Sequence, residues 1–152
     1  MDKEILLNQL QKVTEHKKDN LKNQFINTFI DTKTDYYEKY INNVNGELGY
    51  YLWCCFKHQG KVSTFSVSEL GSVLDHINTD NVLLFWDHYI YKEIMDLGRN
   101  ELFCCPKKFL INNTSAFPQD FYVFDETFTW VILITHEQQN QKGDKGFIIK
   151  LE

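Results

Sequence analysis

Apolar residues recur every three or four positions in the first part of this chain and every second position in its last part. From Asp2 to about Ile30 they fall at Ile5, Leu6, Leu10 and Val13, then at Leu21, Phe25, Ile26, Phe29 and Ile30. That spacing predicts amphipathic helix on both sides of a polar stretch, Thr14 to Asn20. Two helices with Asn20 as the second cap, and one long helix with a solvated middle turn, both satisfy it. Thr32 or Thr34 caps a short helix from Asp35 to about Asn42, which carries Tyr36, Tyr37, Tyr40 and Ile41 on one face. The Asn-rich run to Gly46 ends that helix. From Glu47 to Lys57 the positions of Leu48, Leu52, Cys55 and Phe56 fit a helix and the unbroken YYLWCCF fits a buried strand; the helix is preferred. Ser66-Val67-Ser68-Glu69 matches a capping box and opens a helix to about Ile77.

Strand character dominates afterwards. Val82 to Trp86 is a short apolar run suited to a buried strand, and Leu102 to Cys105 is another, stopped by Pro106. A short helix from Tyr89 to Leu97 separates them. Lys107 to Gln119, with Asn112-Asn113-Thr114-Ser115 and Pro118, has loop chemistry. The segment Asp120 to Glu137, DFYVFDETFTWVILITHE, predicts a β-hairpin whose polar turn is Asp125-Glu126-Thr127. Its return arm points Phe128, Trp130, Ile132 and Ile134 one way and Thr129, Val131, Leu133 and Thr135 the other. Val131 and Leu133 break the apolar–polar alternation of a half-wet strand, so this strand is expected to be central and covered on both faces. A turn at Gly143 to Gly146 leads to a last strand, Gly146 to Leu151. The sum is an α+β fold in one domain, residues 1–152: a mostly antiparallel sheet of four or five strands with N-terminal helices packed on it.

Composition narrows the function classes. At 43% hydrophobic and 15% aromatic, 152 residues supply a large core, burying roughly two-thirds of the unfolded surface. The formal charge of -5 argues against nucleic acid, since phosphate binding needs clustered Lys and Arg. Residues 81 to 137 hold 8 acids against 4 bases, which suits a basic partner. Cys54-Cys55 and Cys104-Cys105 are adjacent pairs, not the spaced pairs of a zinc site, and sit in apolar runs as reduced structural thiols. Neither a secretory signal nor a membrane-spanning run is present in the sequence, so the expected location is the cytoplasm.

Gly-rich phosphate loops, nucleophile elbows, His-Glu-x-x-His pairs and calcium loops are missing from the sequence. No cofactor, metal or catalytic residue is assigned. The binding candidates are Asp87 and His88 after one strand, Asp120, Asp125 and Glu126 at the start and tip of the hairpin, and His136 and Glu137 at its exit. The acidic members are expected at the surface, as a rim for a basic protein. Trp53, Trp86 and Trp130 are read as core. If the strands ending at Trp86 and Thr135 are parallel neighbours, Asp87-His88 and His136-Glu137 emerge at one sheet edge, where imidazoles and carboxylates suit a divalent metal; that is the alternative, a metal-dependent hydrolase.

Tyr51-Leu52-Trp53 with Phe56, Leu84-Phe85-Trp86, and above all Phe121-Tyr122-Val123-Phe124-Asp125 followed by Phe128-Thr129-Trp130 and Thr135-His136-Glu137 resemble a family of small bacterial proteins of unknown function. That family ends on a hairpin with Asp in its turn, Trp in the return strand and Thr-His-Glu at the exit. The resemblance covers about residues 120 to 137 and implies a bacterial, cytoplasmic, single-domain protein without established activity. In size and acidity the chain is also similar to immunity proteins, which neutralise a toxin domain by covering its active site. The expected function is therefore non-catalytic protein binding, with a basic toxin domain as the concrete partner.

Overall fold

The computed structural model describes Glu4 and residues 8–41, 52–86, 101–118, 120–138 and 144–151, with backbone alone at 137, 138 and 144. Among these described residues, seven strands form one sheet: β1 (Gln11–Lys12), β2 (Lys61–Ser66), β3 (Asn81–Trp86), β4 (Phe103–Pro106), β5 (Phe121–Phe124), β6 (Trp130–Gln138) and β7 (Asp144–Lys150). Their order is β1-β4-β3-β5-β6-β7-β2, and every neighbouring pair is antiparallel. The class is the expected α+β, but the sheet exceeds four or five strands. The two additions, β1 and β2, are its edges. Their side chains are mostly exposed, so neither carries the apolar alternation that announces a strand.

Period-two alternation splits the central strands between two cores. Phe121, Val123, Trp130, Ile132 and Ile134 face one side, with Leu70 and Leu74 of α2 (Leu70–Asp75) and Leu110 of α3 (Lys107–Asn112) in the same cluster. Tyr122, Phe124, Val131 and Leu133 face the other, with Leu21, Phe25 and Phe29 of α1 (Glu15–Phe29). Helices thus lie on both faces, and β6 is central as its composition predicts. Phe25 is the hub of the second core, its ring centroid 5.1 Å from Phe29, 5.1 Å from Phe85 and 4.8 Å from Phe124.

Several local expectations are met. Thr34 Oγ1 accepts from Tyr37 N at 3.1 Å and caps a π-helical turn, Tyr37–Ile41. Glu69 Oε1 accepts from Ser66 N at 3.2 Å in the capping box, and the helix continues through α2. Others are corrected. Helix is present on the near side of the polar stretch at Glu4, Asn8 and Gln9; edge strand β1 follows, and α1 starts after Thr14, so the segment is neither one long helix nor a second helix capped at Asn20. Leu52–Cys55 is a short 3-10 turn, while residues 47–51 lie outside the described segments. The predicted helix at 89–97 lies outside them as well.

Residues 107–119, expected as loop, contain α3. Its Leu110 is fully buried, and the Asn and Thr that read as loop close its end: Asn113 Nδ2 donates to Phe109 O at 2.8 Å and Thr114 Oγ1 to Leu110 O at 3.0 Å. The last strand, expected from Gly146 after a turn at 143–146, already starts at Asp144, and position 143 lies outside the described residues. Gly146 pairs across from Phe65, and a Cβ there would stand 2.4 Å from that ring; this close approach requires glycine. Phe128 does not share a face with Trp130. Its φ of 52° is left-handed, which turns the ring into the α1-side core. Cys54 is exposed, not buried; Cys55, Cys104 and Cys105 lie in or against the two cores as expected.

Candidate functional site

The hairpin places candidate residues at both of its ends. At the exit, the β5–β6 ladder stops at Phe121 opposite Ile134. Leu151 N donates to Thr129 O at 2.7 Å, which sets the alternation so that Thr135 bonds toward β7 and His136 turns its amide toward β5, where the strand has ended. Asp120 fills that place with its side chain. Asp120 Oδ1 accepts from His136 N at 3.0 Å, from His136 Nδ1 at 3.0 Å and from Trp53 Nε1 at 3.2 Å. The carboxylate is 0% exposed and the His136 side chain 38%.

An acceptor-only partner keeps the ring proton of His136 on Nδ1, so in the neutral ring Nε2 carries the lone pair. The Trp53 ring stands 6.1 Å from the imidazole, near edge-on, and Trp53 N donates to Tyr122 Oη at 2.9 Å. Tyr122 and Asp120 together hold the 52–55 turn on the sheet. Asp120 is therefore corrected from surface rim to buried anchor: polar groups left by the ending ladder need an acceptor, and a short carboxylate reaches them.

At the tip, Asp125 Oδ1 accepts from Thr127 N at 3.0 Å and from Thr127 Oγ1, and Oδ2 accepts from Trp130 Nε1 at 3.0 Å. Its carboxylate shapes the turn and satisfies a buried indole. Glu126 projects outward and meets Lys17 Nζ at 3.2 Å, both more than half exposed, so this pair contributes little to stability. Asp80, Asp125, Glu126 and Lys17 line an open cleft of about 540 Å³ together with Val13, Asn81, Cys104 and Thr127. Burial pushes the Cys104 thiol up; Lys17 opposes this and Glu126 adds to it.

Asp120 and His136 are thus brought together, while Asp125 and Glu126 stand at the far end of the hairpin. Glu137 lies in β6, its side chain outside the described atoms, and Asp87 and His88 lie outside the described residues. β3 and β6 are not neighbours, yet both pair antiparallel with β5 and so run parallel to one another; Trp86, Phe121 and Ile134 form one row at the same end of the sheet. Among the described residues, no group of three or more His, Cys, Asp and Glu is placed to hold a metal ion. Sequence reasoning missed Trp53 and Tyr122 as partners of this end, and Lys17 and Asp80 at the tip. Only a buried indole's need for an acceptor hinted at the first pairing, without saying which acceptor.

The fold and these two ends define an α+β protein whose described residues build a seven-stranded antiparallel sheet with helices on both faces. No family model, curated protein or solved structure matches the chain. Among the described residues, no helix is long and apolar enough to cross a membrane.

Proposed function

We propose that this chain is a non-catalytic protein-binding domain that presents the tip of its hairpin to a basic partner, in the manner of an immunity protein meeting a toxin. The observation that carries this reading is the tip cleft, where, among the described residues, Asp80, Asp125 and Glu126 face a single lysine, Lys17. A concave wall with surplus negative charge steers and accepts Lys or Arg side chains. Asp125 serves as scaffold, which leaves Glu126 and Asp80 as the recognition charges. The test is co-expression with toxin domains encoded beside the gene, followed by binding of Glu126→Lys and Asp80→Lys. Each reversal should weaken binding by at least tenfold, and more at low salt than at high salt. Wild-type affinity in both variants, or no protection against any neighbouring toxin, defeats the proposal.

A second reading, a metal-dependent hydrolase at the opposite end, draws support from one observation: a buried carboxylate orients His136 through Nδ1, as such carboxylates orient metal-binding imidazoles. Elemental analysis of protein purified without chelator tests it. Stoichiometric zinc or manganese that disappears in His136→Ala supports this reading, and metal-free protein ends it.

A further inference from the structure

The sheet has two edges, and they are not alike. β1 spans two residues, too short to recruit a strand, whereas β2 spans six without proline or bulge, and Lys61, Val62, Ser63 and Thr64 are all exposed. Val62, 54% exposed, is the exposed large apolar side chain among the described residues.

The direction of the edge's backbone groups follows from the ladder. Because Leu151 N bonds Thr129 O, the odd-numbered residues of β7 bond toward β6 and the even-numbered ones toward β2. Opposite those stand Lys61, Ser63 and Phe65. The N–H and C=O groups of Val62 and Thr64 therefore point away from the sheet. Ser66, next in that row, has its amide taken by Glu69 Oε1 at 3.2 Å. At the other end Gly60, with φ 68°, breaks the extended run. The open ladder is thus short and stopped at both ends.

We propose that β2 is a docking edge for a second copy of this chain, pairing antiparallel with its counterpart about a twofold axis beside Ser63. Val62 of each copy then exchanges N–H···O=C bonds with Thr64 of the other. The two outward residues map onto one another under that axis, which an isologous contact requires. Antiparallel pairing also brings the Lys61 end of one strand toward the Glu69 end of the other, twice, while parallel pairing sets lysine on lysine. The stops favour an occupant with the same stops, and β2 itself is such a segment. Val62 is covered in the process.

A single strand pair lies well below the roughly 1,200 Å² of a stable interface, so the dimer is weak, with Kd on the order of 0.1 to 1 mM. Sedimentation equilibrium of the full chain between about 10 µM and 1 mM should show a reversible monomer–dimer equilibrium, with amide exchange at Val62 and Thr64 slowing as concentration rises. Val62→Lys sets two like charges diagonally across the axis on the same face, and Thr64→Pro deletes an outward donor without touching the β7 ladder. Each should weaken dimerisation by tenfold or more and leave the monomer's circular dichroism unchanged. Should Thr64→Pro fail to fold, Val62→Lys alone decides. A monomer at every concentration, or a dimer that folded Val62→Lys leaves intact, overturns the proposal.

Discussion

Replacing Asp120 by alanine removes one acceptor from the centre of three donors. Trp53 Nε1, His136 N and His136 Nδ1 all bond the same oxygen at 3.0 to 3.2 Å, in a carboxylate that is fully buried. A hydrogen bond to a charged acceptor contributes about 1.5 to 3 kcal/mol, but three bonds sharing one oxygen do not add. The better guide is the loss of one partner from a buried charged network, about 3 to 5 kcal/mol, since the remaining donors are left desolvated. With a urea dependence of about 2 kcal/mol/M, the unfolding midpoint should fall by roughly 1.5 to 2.5 M. Asp120→Asn keeps an oxygen in place while giving up the charge, so its loss should be smaller by about 1 to 2 kcal/mol.

Equilibrium urea unfolding followed by fluorescence measures both variants. The indole N–H of Trp53, followed by NMR, reports separately on the 52–55 turn and should exchange faster in the alanine variant. A loss below about 1 kcal/mol in Asp120→Ala would mean that the exit network is not what joins this turn to the sheet.

Phe25→Ala should cost about 3 to 5 kcal/mol by chemical denaturation, because the ring is buried at the meeting point of Phe29, Phe85 and Phe124. Gly146→Ala should destabilise by about 1 to 3 kcal/mol through contact with the Phe65 ring, and Phe65→Leu should recover part of that loss in a double-mutant cycle. The Cys105 thiol is pushed from 9.0 up to about 12 by burial, with Cys104 adding to it; the protonated native form is favoured, so stability should fall as pH rises from about 9 toward 12, less steeply in Cys105→Ala. In the folded protein at pH 8, iodoacetamide should modify exposed Cys54 well before Cys105, and equal rates would contradict the burial.

Much of the middle of this molecule was legible from local pattern. The runs at 82–86, 121–124 and 130–135 are strands because β-branched and aromatic residues fill both faces, and the capping box at Ser66 works because its partners lie three residues apart. The edges were not legible. KVSTFS joins the sheet only because Gly146 makes room for Phe65 on β7, some eighty positions later in the chain. Phe128 was assigned to the wrong face because its left-handed φ belongs to the turn that Asp125 organises, a conformation that apolar periodicity does not register.

The candidate site divides along the same line. Its acidic tip could be read from the chain, since Asp125-Glu126 interrupts two apolar arms that must turn back. What each carboxylate does was decided by tertiary structure. Asp120 became a buried anchor because the β5–β6 ladder ends two residues short of His136, and Trp53, 67 residues earlier, supplies a donor that needs the same oxygen. Sequence sets which segments bury and with what period, because those depend on neighbours a few residues apart. Which polar atoms meet inside depends on strand order and register, and those follow from packing the whole sheet at once.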